Sequence, residues 1–226
     1  MQLAFIVISI YSGFMKCPRC TAHVTPLERA CTTCGFSATT LHPLLGNQWI
    51  RLERITDAAH CLRLEDTRQT EVVLDDFERS FPQAFFATYL GAIPNDLSPA
   101  EVGFWLLNQG AFNTHSLHKR NDFGIVLVVD PSAKAVSISL GYAVEACFSE
   151  RTLSKILHAS GAHLSAGRYG KAIETACLSC ARQLKRLAQS SQWTPDHNLS
   201  QGMGLEPLRG GHRPASHSRA GVSHDA

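Results

Sequence analysis

The sequence predicts an α/β fold: a small mixed sheet of about four strands, sandwiched by helices and preceded by a zinc ribbon. Three observations carry that expectation. Two CxxC pairs stand ten residues apart near the start, Gly124–Val129 is an unbroken apolar and β-branched run, and segments with a helical apolar stripe flank that run on both sides. The chain has 226 residues, 44% hydrophobic and 18% charged, enough for one core of ordinary size and an appendage. A net charge of +2 is too balanced to make nucleic acid or an anionic membrane a default partner.

The cysteines come first. Cys17-Pro18-Arg19-Cys20 and Cys31-Thr32-Thr33-Cys34-Gly35 can offer four soft thiolates from two adjacent turns, the donor set of a tetrahedral zinc. Pro18 and Gly35 suit the sharp bends this needs. A ribbon over residues 15–37 follows. Four thiolates close the shell, so the zinc is structural and not hydrolytic. This spacing favours zinc over a pair of disulfides, and free thiols place the protein in the reducing cytosol. Lys16, Arg19 and Arg29 make the ribbon mildly basic, which reads as its solvated face.

Residues 1–14 are read as a non-native start extension, with Met15-Lys16-Cys17 as the natural beginning. Their apolar stretch is about half the length of a membrane-spanning helix. No Lys or Arg precedes Lys16, as a secretory signal would require. No integral membrane segment is expected.

Residues 38–48 read as a linker, and residues 49–190 as the α/β domain. Trp49–Ile55 fits a short strand or the approach to a helix. Asp57 is placed to cap a helix from Ala58, with Leu62, Val72, Val73, Phe77 and Phe81 as its apolar face. Between Pro82 and Pro94, Ala84–Ile93 reads as a buried strand. Ser98-Pro99-Ala100-Glu101 is a capping box with proline at the first helical position, opening a helix to Asn108. A polar loop follows with His115, His118, Lys119 and Arg120. Gly124–Val129 is the central strand. Ala135–Leu140 alternates and pairs beside it across the turn Asp130–Ala133. Helices close the domain at Glu150–Ala159 and Tyr169–Gln189, joined through Gly161 and Gly167. Cys177 and Cys180 fall within the last helix as small apolar residues, as do Cys61 and Cys147 elsewhere. Residues 191–226, rich in Gly, Pro, Ser and His, form a disordered tail.

Asp122-Phe-Gly-Ile-Val-Leu-Val-Val129, Ser137-Ile-Ser-Leu-Gly-Tyr-Ala-Val-Glu145 and Leu164-Ser-Ala-Gly-Arg-Tyr-Gly170 resemble the motifs of the TPM domain family. That family has a D-N-G strand, a strand ending in G-Y-G-L-E and a segment leading into the last helix. Asp57-Ala-Ala-His-Cys-Leu62 echoes its opening D-x-A-G-x-L, with His60 in the glycine position. Phe123, Ala143 and Glu150 also depart from the pattern. The resemblance spans residues 50–188, and a ribbon fused ahead of such a domain is expected in bacterial members.

The resemblance implies phosphatase activity as in some members, or maintenance of membrane complexes as in others. It also implies Ca²⁺ or Mg²⁺ at an acidic cluster. By matching positions that cluster is Asp122 and Glu145, with Asp57 and Glu150 beside them; carboxylate oxygens suit such hard ions. Two functions stay open. One is a cytosolic metal-binding interaction or maintenance module with weak or no catalysis, acting on a protein partner. The other is a hydrolase, a divalent-metal-dependent phosphatase taking a small phosphorylated substrate. No nucleophile and no phosphate-binding loop is readable.

Overall fold

The computed structural model describes residues 4–7, 15–25, 28–114 and 121–189. The polar loop residues His115, His118, Lys119 and Arg120 and the tail expected to be disordered lie outside them.

The first strand, β1 (Ala4–Val7), precedes two short strands, β2 (Met15–Lys16) and β3 (His23–Val24). A 3-10 turn (Ala38–Leu41) and helix α1 (His42–Leu45) occupy the expected linker. Next come β4 (Ile50–Glu53), β5 (Ile55–Asp57), α2 (Leu64–Ser80), β6 (Phe85–Leu90), α3 (Pro99–Gln109) and β7 (Gly110–Asn113). A 3-10 turn (Asn121–Phe123) leads into β8 (Gly124–Asp130) and β9 (Ala135–Leu140). Helices α4 (Tyr142–Glu145), α5 (Glu150–Ser165) and α6 (Tyr169–Gln189) follow.

The sheet runs β1-β9-β8-β6-β5. Strands β5, β6 and β8 are parallel, β9 is antiparallel to β8, and β1 lies parallel to β9 at the edge. Strands β6, β8 and β9 lie where the sequence places them, and β5 brings the mixed sheet to the expected four. The fifth comes from the apolar stretch read as a start extension. A separate parallel pair joins β4 to β7.

Every residue of β8 is buried, because helices cover both faces of the sheet and leave no solvent side for polar alternation. Its side chains divide strictly by period. Ile125, Leu127 and Val129 face α2, α5 and α6, packing with Leu74, Phe77, Leu153, Leu157, Ile173 and Cys177. Val126 and Val128 face the other way, toward Val102, Trp105 and Leu106 of α3. In β9 the same alternation sends Val136 and Ile138 to the first face. Ser139 goes to the second, where the missing Cβ of Gly103 leaves it room. Helix α3 starts on the predicted capping box: Ser98 Oγ accepts from the Glu101 N–H at 3.2 Å, and Glu101 Oε2 accepts from the Ser98 N–H at 2.8 Å.

Three expectations are corrected. Asp57 caps no helix; it ends β5, its carboxylate accepts from the N–H groups of Cys61 and Leu62 at 3.2 and 2.8 Å, and α2 begins only at Leu64. The carboxylate rounds off a tight turn in which His60 takes φ +51°. On α2 the buried apolar residues are Leu74 and Phe77, while Val72 is exposed. Gly161 is no joint either, since α5 runs through it to Ser165. Arg54, between β4 and β5, pins this edge to α2 through Glu71, Asp75 at 2.7 Å and Glu78 at 3.2 Å.

Candidate functional site

The two cysteine knuckles repeat one geometry. The Thr21 N–H donates to the Cys17 carbonyl at 2.9 Å and the Gly35 N–H to the Cys31 carbonyl at 2.8 Å. The Cys17 N–H then reaches the Ala22 carbonyl and the Cys31 N–H that of Phe36, both at 2.8 Å. Closing such a turn puts the residue after each second cysteine in the left-handed region, at φ +62° for Thr21 and +71° for Gly35. Glycine does this freely and threonine at a cost.

The result is four free thiols whose sulfurs all lie within 4.8 Å of one another. Cys17 to Cys34 and Cys20 to Cys31 are each 3.6 Å. Sulfurs about 2.3 Å from a tetrahedral zinc stand roughly 3.8 Å apart, so the donor set and its spacing fit a metal ion. Backbone N–H groups of Cys34 and Thr33 pull the Cys31 thiol down to about 6. Burial pushes Cys17 up to about 12, so metal binding there displaces a proton. Among the described residues this quartet is the one cluster of three or more His, Cys, Asp or Glu with metal-binding spacing. Cys177 and Cys180, by contrast, are buried in α6 and raised by burial, which keeps them inert.

The ribbon lies on α3. Arg19 Nε donates to Glu101 Oε1 at 2.7 Å while its guanidinium stands 5.2 Å from the centre of the Phe36 ring. Phe36 meets Phe104 edge-on at 5.6 Å. Glu101 thus serves twice, one oxygen capping its own helix and the other holding the ribbon. Lys16 pairs with Glu150 at the start of α5.

Between ribbon and sheet this leaves a cavity of about 350 Å³. Its floor holds both Asp122 and Glu145. They share it because β8 and β9 are antiparallel: Ile125 pairs with Leu140, so the residues before β8 and after β9 lie at one end of the sheet. Glu145 is only 6% exposed, and its carboxylate has no hydrogen bond or ion pair among the described residues. Burial pushes it up to about 8. Tyr142, which also lines the cavity, is raised by desolvation first and then by the charges of Glu145 and Asp122.

The other two acidic residues are placed elsewhere. Asp57 pairs with Leu90 and Leu90 with Val129, whereas Gly124 pairs with Phe85. Asp57 therefore stands at the opposite end of the sheet from Asp122, roughly 16 Å along the strands. Glu150 is engaged by Lys16 and lies outside the cavity wall. Lys16, Arg29, Phe36, Phe104 and Tyr142 do line the cavity. In the sequence the two cations looked like ribbon surface, and nothing local marks them as lining one cavity with Asp122.

The TPM domain profile matches residues 55–183, more than half of the chain. The chain belongs to the TPM domain family. No curated protein matches it. The solution structure of the N-terminal domain of a protein from P. gingivalis is similar over 60% of this chain and 84% of that one, at 21% identity and a TM-score of 0.46, a likeness too slight to carry an argument. The matched region excludes the ribbon, so in this TPM protein the roof of the cavity is built from outside the family domain. No helix among the described residues is long and apolar enough to cross a membrane.

Proposed function

We propose that this TPM protein is a metal-binding interaction module: its ribbon carries structural zinc, and its cavity holds a divalent cation through Asp122 and Glu145 to grip a partner's anionic group. The observation that carries this reading is Glu145, a buried carboxylate without a partner among the described residues, lining the same cavity as Asp122. A desolvated carboxylate is stable as an anion only beside a cation. Two carboxylates are too few for an all-protein Ca²⁺ cage. They match Mg²⁺, which keeps water and takes its remaining ligands from a bound anion.

A second reading, metal-dependent phosphomonoester hydrolysis, is favoured by Lys16 and Arg29 in the cavity wall, where they could offset charge on a phosphoryl group. Against it, no histidine is among the described residues lining the cavity, and Lys16 is held by Glu150. Among the described residues no histidine is therefore placed there as a general base. Calorimetry with Mg²⁺, together with a phosphomonoester assay, separates the two. We expect Mg²⁺ binding that Asp122→Asn and Glu145→Gln each abolish, without turnover above the blank. Metal-dependent turnover lost in both variants would establish the hydrolase instead.

A further inference from the structure

The cavity is walled by two pieces of chain with opposite charge. The floor contributes Asp122 and Glu145; the ribbon contributes Lys16 and Arg29. Lys16 is anchored by Glu150. Arg29 is exposed and has no hydrogen bond or ion pair among the described residues. The ribbon's own acid in the wall, Glu28, is committed to its loop, since its carboxylate accepts from the Thr25 N–H at 2.5 Å. The rest of the wall mixes the apolar Phe36, Phe104, Leu107 and Leu140 with the polar Ser37, Asn108, Asn121 and Ser139. The volume, about 350 Å³, is at the small end of organic-ligand pockets.

We propose that the ribbon and the TPM domain together form a binding site for a small organic oxyanion, a phosphate or carboxylate on an apolar body, with Arg29 as the residue that selects it. This rests on the cation reading above. The cation on Asp122 and Glu145 takes one side of the oxyanion, Arg29 closes on the other through charge-assisted hydrogen bonds, and the aromatic wall takes the body. Arg29 lies outside the matched domain, so the ribbon gives this protein a selectivity the domain alone lacks. Arg29 stands two residues before the knuckle that begins at Cys31, so the selectivity also depends on the metal in the ribbon.

The test uses the full-length, zinc-loaded protein and phenylphosphonate, whose carbon–phosphorus bond resists hydrolysis. Calorimetry is run with Mg²⁺ alone, then with phenylphosphonate in saturating Mg²⁺, then with methylphosphonate. Arg29→Met should weaken phenylphosphonate about tenfold or more, the worth of one charged hydrogen bond, while Mg²⁺ affinity in the absence of the anion holds. Methylphosphonate should bind more weakly than phenylphosphonate in the wild type. Because Arg29 is exposed, the variant should unfold at the wild-type temperature, which keeps a folding defect apart from a binding one. Mg²⁺ binding with phenylphosphonate affinity unchanged by Arg29→Met, or with no phenylphosphonate binding at all, overturns this inference and leaves the cation reading standing. Failure of Mg²⁺ itself to bind removes both.

Discussion

Gly141 lies directly against the backbone of Asp122: a Cβ on it would stand 2.5 Å from the Asp122 carbonyl carbon, and closer still to the carbonyl oxygens of Asn121 and Asp122. The Gly141 N–H also donates to the Gly124 carbonyl at 2.8 Å. This contact sets the start of α4 beside the entry to β8, and so holds Glu145 over the same cavity as Asp122. The obstruction is backbone and cannot rotate away. Gly141→Ala should therefore cost about 2–3 kcal/mol as overpacking and lower Mg²⁺ affinity as the two carboxylates part. Urea denaturation and calorimetry read the two effects. A variant with wild-type stability would show that the contact is not tight.

His60 offers the opposite change. It stands at φ +51°, in the position where the family's opening motif has glycine, and its turn is held by the Asp57 carboxylate. A side chain in the left-handed region costs about 1–2 kcal/mol, while glycine there gives back part of the gain through a freer unfolded chain. His60→Gly should stabilise the protein by about 0.5–1 kcal/mol, seen as a higher midpoint in urea at unchanged slope. A lower midpoint would mean that the imidazole makes a contact worth more than the strain.

How far the fold could be read in advance depended on how local its cause was. The cysteine quartet is encoded in spacing, because each knuckle closes within a few residues. Strand β8 is encoded in its unbroken apolar run, and α3 in its capping box. Asp57 was misread for a local reason: an acidic residue before Ala-Ala looks like a helix cap, whereas the strand pairing of Ile55–Asp57 with Thr88–Leu90 is decided at long range. The same holds for the candidate site. Asp122 and Glu145 could be named from motif resemblance, but the ribbon's seat on α3 depends on Arg19 meeting Glu101, eighty-two positions away. Nothing at either residue announces the other, so the cavity roof and the place of Arg29 in its wall were not legible.

Glu145 makes a prediction in pH. Its folded-state value is raised from 4.5 to about 8 by burial, so the folded protein holds a proton that the unfolded chain releases. The stability this contributes is full below pH 4.5 and is lost as the pH rises through about 8. In chelator, wild-type stability should fall between pH 5 and 9, by an amount on the order of a few kcal/mol. Glu145→Gln, neutral throughout, should remove most of that slope. Added Mg²⁺ should restore the wild type at high pH and leave the variant unmoved. Equal slopes in both proteins would place the titration elsewhere.

The last prediction concerns the ribbon. Four thiols spaced for a tetrahedral ion should hold about one zinc per chain, measured on the purified protein, and Cys17→Ser with Cys20→Ser should abolish it. The consequence should be confined to one face of the sheet. Phe36, Val24 and the cysteines pack with α3 and the Val126 and Val128 side of β8. The core formed by α2, α5, α6 and the opposite sheet face contains no ribbon residue. Chelation should therefore speed tryptic cleavage at Arg19 and Arg29 while far-ultraviolet circular dichroism stays near native. Coincident loss of all secondary structure would show instead that the ribbon and the sheet fold as one cooperative unit, with the metal supplying stability to both faces.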